Sequence, residues 1–185
     1  MMKIAVVLGS TRPGRNTAAV ADWVMQAAAE RSDAEYELVD IAEFNLPPLD
    51  EAYPPQAGNP QQPHTHAWAA KIAEFDGFIF VTPEYNHSVP GSFKNAVDYL
   101  FYEWNNKAIG FVSFGSVGGV RAVEAWRLIA AELKLADVRP QVSLSLITDF
   151  ENFSVFKPAD YHAESLEAVF TDVVAWSQAM ATLRD

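Results

Sequence analysis

The sequence predicts a three-layer α/β/α fold around a parallel sheet of five strands, in the order 2-1-3-4-5. Three observations carry that expectation. Several strand-length runs are apolar from end to end, as strands covered on both faces must be. Amphipathic helical stripes separate them, so strand and helix alternate along the chain. The 185 residues hold five such units, which suits one domain at ~100–200 residues per domain. A single domain over 1–185 is therefore expected.

Residues 3–8 (KIAVVL) form the first run, apolar and β-branched. A Gly-Ser-Thr turn leads into a helix over 17–30, with Val20, Trp23, Val24 and Ala27 on one face. Residues 35–39 (EYELV) alternate like a second strand, and 77–82 (GFIFVT) form a third that stops at Pro83. After Pro90 a helical stripe follows through Phe93, Ala96, Val97, Leu100 and Phe101. Residues 108–114 (AIGFVSF) are the fourth strand, 120–134 a helix, and 140–147 the fifth strand. The last helix spans 162–183, with Leu166, Val169, Phe170, Val173, Ser177 and Met180 on one face. No repeat or linker interrupts the pattern. The exception is 45–66, which holds six of the 11 prolines and reads as a long structureless loop. It is either a surface loop stiffened by proline or a functional, mobile one.

Composition narrows the chemistry. With no cysteine, disulfides, thiolate nucleophiles, zinc–thiolate sites and iron–sulfur clusters are excluded. The formal charge of −11 argues against nucleic acid, whose affinity rests on neutralising phosphates, and against an anionic membrane surface. No apolar run approaches the ~18 residues of a membrane span. The first apolar run ends in a turn rather than a cleavage site, so no signal peptide is expected and the cytoplasm is the expected compartment. No G-x-S-x-G elbow supports a hydrolase. His64 and His66 are close in sequence but no third metal ligand is in view, so no metal site is expected.

In such a fold ligands bind beyond the carboxyl ends of the strands, where three loops converge. The first, 9–17 (GSTRPGRNT), joins a buried strand to a helix N-terminus, a place that favours an anion and phosphate in particular. Ser10, Thr11, Asn16 and Thr17 add short donors, while Arg12 and Arg15 add guanidinium groups matched to phosphate. The lysine of a P-loop and the G-x-G-x-x-G spacing are both missing, which weighs against ATP and against a dinucleotide grip. A plain Gly-Ser turn with two solvated arginines is the competing reading. The second loop, 83–91 (PEYNHSVPG), is bracketed by Pro83 and Pro90 and offers Tyr85, Asn86 and His87 to a planar ring. His87 and Tyr85 also suit purely structural roles, and Glu84 suits holding the loop backbone. The third, 115–119 (GSVGG), is small enough for a flat ligand to approach the backbone.

Three segments, GSTRPGRNTAAVADWV, TPEYNHSVPGSFKNAVDYL and FGSVGGVRAVEAWRLIAAEL, resemble the signature segments of the NADPH-dependent FMN reductase family. The pattern PEYNxSxPGxxKNAxD, here Pro83 to Asp98, is the most specific of them. The resemblance implies a flavodoxin-like fold, bound FMN, NADPH or NADH as hydride donor, and a homodimer or homotetramer. It implies a phosphate grip at Ser10, Arg12, Arg15, Asn16 and Thr17. The isoalloxazine ring would lie against Pro83, Glu84, Tyr85 and Asn86, and Ser116, Gly118 and Gly119 would border it. Many family members have a serine where this chain has Arg15, so Thr17 is the expected source of the hydroxyl.

The implied reaction passes a hydride from the nicotinamide to FMN and then electrons to a small-molecule acceptor. That acceptor would be a flavin, a quinone, an azo compound or an oxidised metal ion, with ping-pong turnover because both substrates use one face. No side chain is required as acid or base. The alternatives are a flavodoxin-type electron carrier and a flavin-free regulatory domain on the same fold. The helix at 120–134 is apolar over more than one stripe, through Val120, Val123, Trp126, Leu128, Ile129 and Leu133. Either a partner subunit or two-sided packing within the monomer would account for it.

Overall fold

The computed structural model describes residues 1–184. Strands β1 (Met2–Leu8), β2 (Ala34–Asp40), β3 (Gly77–Pro83), β4 (Lys107–Gly115) and β5 (Leu135–Ser145) form one sheet in the order β2-β1-β3-β4-β5. Every neighbouring pair is parallel. Helices α1 (Thr17–Ala29) and α5 (Tyr161–Ala181) cover one face. Helices α2 (Pro63–Ala73), α3 (Gly91–Asp98) and α4 (Val120–Glu132) cover the other. The predicted fold class, layer count and strand order are those observed.

Burial explains the strand sequences. Every residue of β3 and β4 is buried, so a side chain on either pleat face meets helix, and alternation would place polar groups in the core. Under α2–α4 the core is aromatic: Phe80 touches Phe93, Phe111, Trp104 and Trp126. Each buried indole N–H has an acceptor, as a desolvated donor requires. Trp68 donates to the Ala96 carbonyl (2.7 Å), Trp104 to the Val97 carbonyl (3.2 Å) and Trp126 to Thr82 Oγ1 (3.1 Å).

Three parts differ from the sequence expectation. Residues 63–66, read as loop, open α2, with Pro63 in its first turn, where a missing N–H costs nothing. The rest of 45–62 is strapped along α3 and contains a 3-10 turn at Pro55–Ala57. Asn95 accepts the Leu49 N–H (2.9 Å) and donates to the Pro47 carbonyl (2.7 Å), and Tyr102 donates to the Gln56 carbonyl (2.8 Å). The Glu51 carboxylate takes the N–H groups of Gln61 (2.9 Å) and Gln62 (3.0 Å). The fifth strand starts at Leu135 rather than 140, straight after Lys134, whose φ of 53° turns the chain out of α4. Pro140 sits inside β5, which is tolerated because β5 is a sheet edge. Finally, a two-stranded hairpin, β6 (Phe150–Glu151) and β7 (Val155–Phe156), stands between β5 and α5.

Candidate functional site

The carboxyl edge of the sheet brings together all three predicted loops. The first leaves β1 at Gly9, whose N–H bonds the Val81 carbonyl (3.0 Å). A Cβ there would lie 2.0 Å from the Phe93 ring, so only glycine fits. Ser10 is fully buried, and its Oγ stands 2.8 Å from the Tyr85 hydroxyl while accepting the Arg12 N–H at 3.4 Å. Asn16 occupies the N-cap of α1 but has helical φ and ψ, and its side chain does not cap. It donates instead to the Phe153 carbonyl at the tip of the β6–β7 hairpin (2.8 Å). With no acidic residue in that first turn either, its N–H groups keep their pull on an anion.

The two arginines of this loop differ. Arg12 is exposed and has no ion-pair partner among the described residues. Arg15 is engaged: its guanidinium donates to the Asp40 carboxylate at the end of β2 and to the Ser10 carbonyl. Thr17 is fully buried and its Oγ1 has no hydrogen-bond partner among the described residues. A buried orphan hydroxyl at an uncapped helix start is unfavourable unless a ligand meets it, and a phosphate oxygen is the matching acceptor. The residues present therefore fit an FMN phosphate.

The second loop is a tight hairpin turn. Tyr85 N–H bonds the Ser88 carbonyl (3.0 Å) and Ser88 N–H returns to Tyr85 (3.1 Å). Asn86 and His87 at its tip have φ of 48° and 74°, the two left-handed positions of a type I′ turn. Pro83 is buried, Glu84 and Tyr85 half-buried, and Asn86 exposed. The Glu84 side chain is only 5% exposed. It points to the third loop, accepting the Arg121 N–H (3.1 Å) at the start of α4 and pairing with the Arg121 guanidinium. Burial pushes the Glu84 carboxyl up, but the Arg121 contacts and the α4 N–H groups outweigh it and hold the group below its ordinary value. Arg121 also donates to His87 Nδ1 (3.0 Å).

The third loop turns on Gly118 and Gly119, with φ of 81° and 72°. A Cβ on Gly119 would lie 2.8 Å from the Phe114 nitrogen, so the backbone folds back on β4 only with glycine there. Gly118 and Gly119 are buried and Ser116 is exposed at the rim.

Several contributors escaped the sequence reading. Arg121 lies two residues beyond the glycine turn, and Asp40 ends a strand at the ligand-binding edge, a position that is itself a signal. The hairpin tip at Phe153 gave no signal. It is held by buried Asp149, which accepts from Ser145 N–H (2.8 Å), Ala159 N–H (3.1 Å) and His162 Nε2 (3.0 Å). His64 pairs with Asp50 (2.9 Å) on the α2 side of the molecule. No helix among the described residues is long and apolar enough to cross a membrane.

Fold and edge together define a flavodoxin-like α/β protein with an anion-ready first loop. The chain belongs to the NADPH-dependent FMN reductase family, whose sequence profile matches residues 2–149. It is 38% identical to an NAD(P)H-dependent FMN reductase of Schizosaccharomyces pombe over 159 residues, covering 85% of this chain and 80% of the relative. It is 33% identical over 143 residues to a 2-hydroxy-1,4-benzoquinone reductase of a Burkholderia species, 72% of this chain and 73% of that one. The fold matches that of a flavoenzyme NAD(P)H:(acceptor) oxidoreductase from Paracoccus denitrificans with a TM-score of 0.75 at 20% identity, over 97% and 99% of the two chains. The protein is thus a flavin-dependent oxidoreductase by family.

Proposed function

We propose that the chain binds FMN at the carboxyl edge and catalyses NAD(P)H-dependent reduction of a quinone, flavin or similar acceptor by a ping-pong route. The observation that carries the reading is the orphan Thr17 hydroxyl in the uncapped first turn of α1, at the end of the loop that also carries Arg12. Bound FMN would supply the hydride-accepting and electron-transferring chemistry. The chain binds and orients. Arg12, Thr17 and the first-turn N–H groups of α1 meet the phosphate. Pro83, Glu84, Tyr85 and Asn86 offer backbone and one ring face to the isoalloxazine. Ser116, Gly118 and Gly119 border its other edge. The side chains of Ser10 and Glu84 fix the loops, through Tyr85 and Arg121, and leave only the Glu84 backbone to face the ligand. Named relatives that reduce FMN and a benzoquinone support the acceptor class.

The active unit in this reading is a homo-oligomer of single-domain chains acting in the cytoplasm, where NAD(P)H is supplied. Leu128 on α4 is 78% exposed. It lines a groove of about 300 Å³ together with Leu100, Phe101, Ile129 and Leu133, rimmed by Lys94, Asp98 and Glu132, a mixed face that suits a second subunit.

A visible spectrum of the purified protein, followed by anaerobic NADPH, tests the proposal. Flavin bands that bleach on adding NADPH, with parallel double-reciprocal plots in turnover, are expected. Bands that bleach only with a chemical reductant would make the protein an electron carrier. No flavin uptake, even after soaking in FMN, would overturn the reading.

A further inference from the structure

We infer that Arg15 is a positioning residue of the first loop and not a phosphate ligand: with Asp40 it forms a clasp that fixes the Ser10 backbone over which Arg12 and Thr17 meet the phosphate. The inference rests on the FMN reading above and assigns roles within it. It reverses the role expected of Arg15 from the sequence.

The geometry begins in the sheet. Asp40 pairs in register with Leu8, two residues before Ser10, so the end of β2 lies beside the start of the loop. Both Asp40 oxygens are in use. Oδ1 accepts the Ala42 N–H (2.9 Å), capping the 3-10 turn Ile41–Phe44, and Oδ2 takes the Arg15 guanidinium. The second arm of the guanidinium reaches the Ser10 carbonyl. Ser10 is thereby held from two sides, by Arg15 at its carbonyl and by Tyr85 at its hydroxyl.

Charge and burial favour this arrangement over a swing toward a ligand. The Arg15 and Asp40 side chains are each 18% exposed, so the pair is partly shielded from the screening that weakens surface bridges. For Arg15 to grip a phosphate it would leave a half-buried carboxylate without its cation beside an incoming anion. The pair is neutral as it stands. The loop still offers a dianion the Arg12 guanidinium, which has no ion-pair partner among the described residues, together with Thr17 and the helix start.

The test measures dissociation constants for FMN and for riboflavin, which differ only by the phosphate, in the full chain and three variants. Asp40→Asn keeps an oxygen to cap Ala42 but removes the charge that holds Arg15. Arg15→Met removes the fork. The third variant combines the two. A thermal melt confirms that each folds, and Arg15→Lys, which keeps charge without the two-armed geometry, serves if Arg15→Met does not. The clasp predicts that Asp40→Asn and Arg15→Met each lower the preference for FMN over riboflavin by about tenfold, the scale of one charge-assisted hydrogen bond. The double variant should be no worse than either single one. If Asp40→Asn raises the preference or leaves it unchanged while Arg15→Met lowers it, Arg15 is a ligand restrained by Asp40 and the inference falls. If neither changes it, the pair only braces the fold and the inference also falls. A wild-type chain that takes up no FMN would fail the underlying reading instead, and is recognised before any variant is made.

Discussion

The hydroxyl groups of Ser10 and Tyr85 stand 2.8 Å apart, so the loop after β1 and the loop after β3 are joined by a side-chain hydrogen bond. Ser10 is fully buried and Tyr85 half-buried, so the bond spans the floor of the site rather than its rim. Tyr85→Phe removes it while keeping the ring. A loss of about 1 kcal/mol in stability is expected, with weaker FMN binding because the two loops are no longer tied. Urea unfolding and flavin titration would measure both, and unchanged flavin affinity would show that the loops hold their places independently.

Arg12 is the guanidinium of the first loop without an ion-pair partner among the described residues. Arg12→Ala should weaken FMN binding by roughly 1.5–3 kcal/mol, the range for a hydrogen bond to a charged group. Riboflavin binding should hardly change. Equal losses for the two flavins would remove Arg12 from the phosphate site.

Glu84 links the second loop to the start of α4, and its folded carboxyl is held below the ordinary value of 4.5. Burial works against this, and the Arg121 contacts overcome it. A depressed carboxyl stabilises the fold fully above the unfolded value, and the contribution is lost as pH falls through the folded one. Glu84→Gln should therefore lower stability at neutral pH and flatten the acid limb of the melting profile below about pH 4.5. A variant with the wild-type acid limb would contradict this.

At the far end of the sheet Lys107 carries a charge that burial disfavours. It is buried, donating to the Ile72 carbonyl at 3.1 Å, and burial together with the Arg184 charge pushes its amine down to about 8. The unfolded chain binds the proton more tightly, so stability should rise with pH from about 8 toward the ordinary 10.5. Lys107→Met should raise the melting temperature at pH 7 and abolish that rise. Melts between pH 7 and 10.5 would decide it.

The sheet was legible because β1, β3 and β4 are buried on both faces and say so in unbroken apolar runs. Helix α2 was not, because only Thr65, Trp68 and Ile72 of its 11 residues are buried and its start sits among prolines and glutamines. The opening of β5 was hidden by its edge position, where burial is intermittent and Pro140 resembles a boundary. At the site, the three loops could be found from strand ends and turn residues. Arg15 could not be assigned, because Asp40 lies 25 residues away and only the β1–β2 register brings it close. The same holds for Asn16, whose partner Phe153 is 137 residues distant.

The Glu51 carboxylate that gathers the Gln61 and Gln62 N–H groups closes residues 51–62 into a compact loop with its two ends pinned together. Most of that loop is exposed, so it is where a protease would meet the chain. A single cut between 52 and 60 would leave one new end tied to α3 through Asn95 and the other continuing into α2. The nicked protein should then run as two bands under denaturing conditions and as one species in its native state, with the carboxyl edge of the sheet undisturbed.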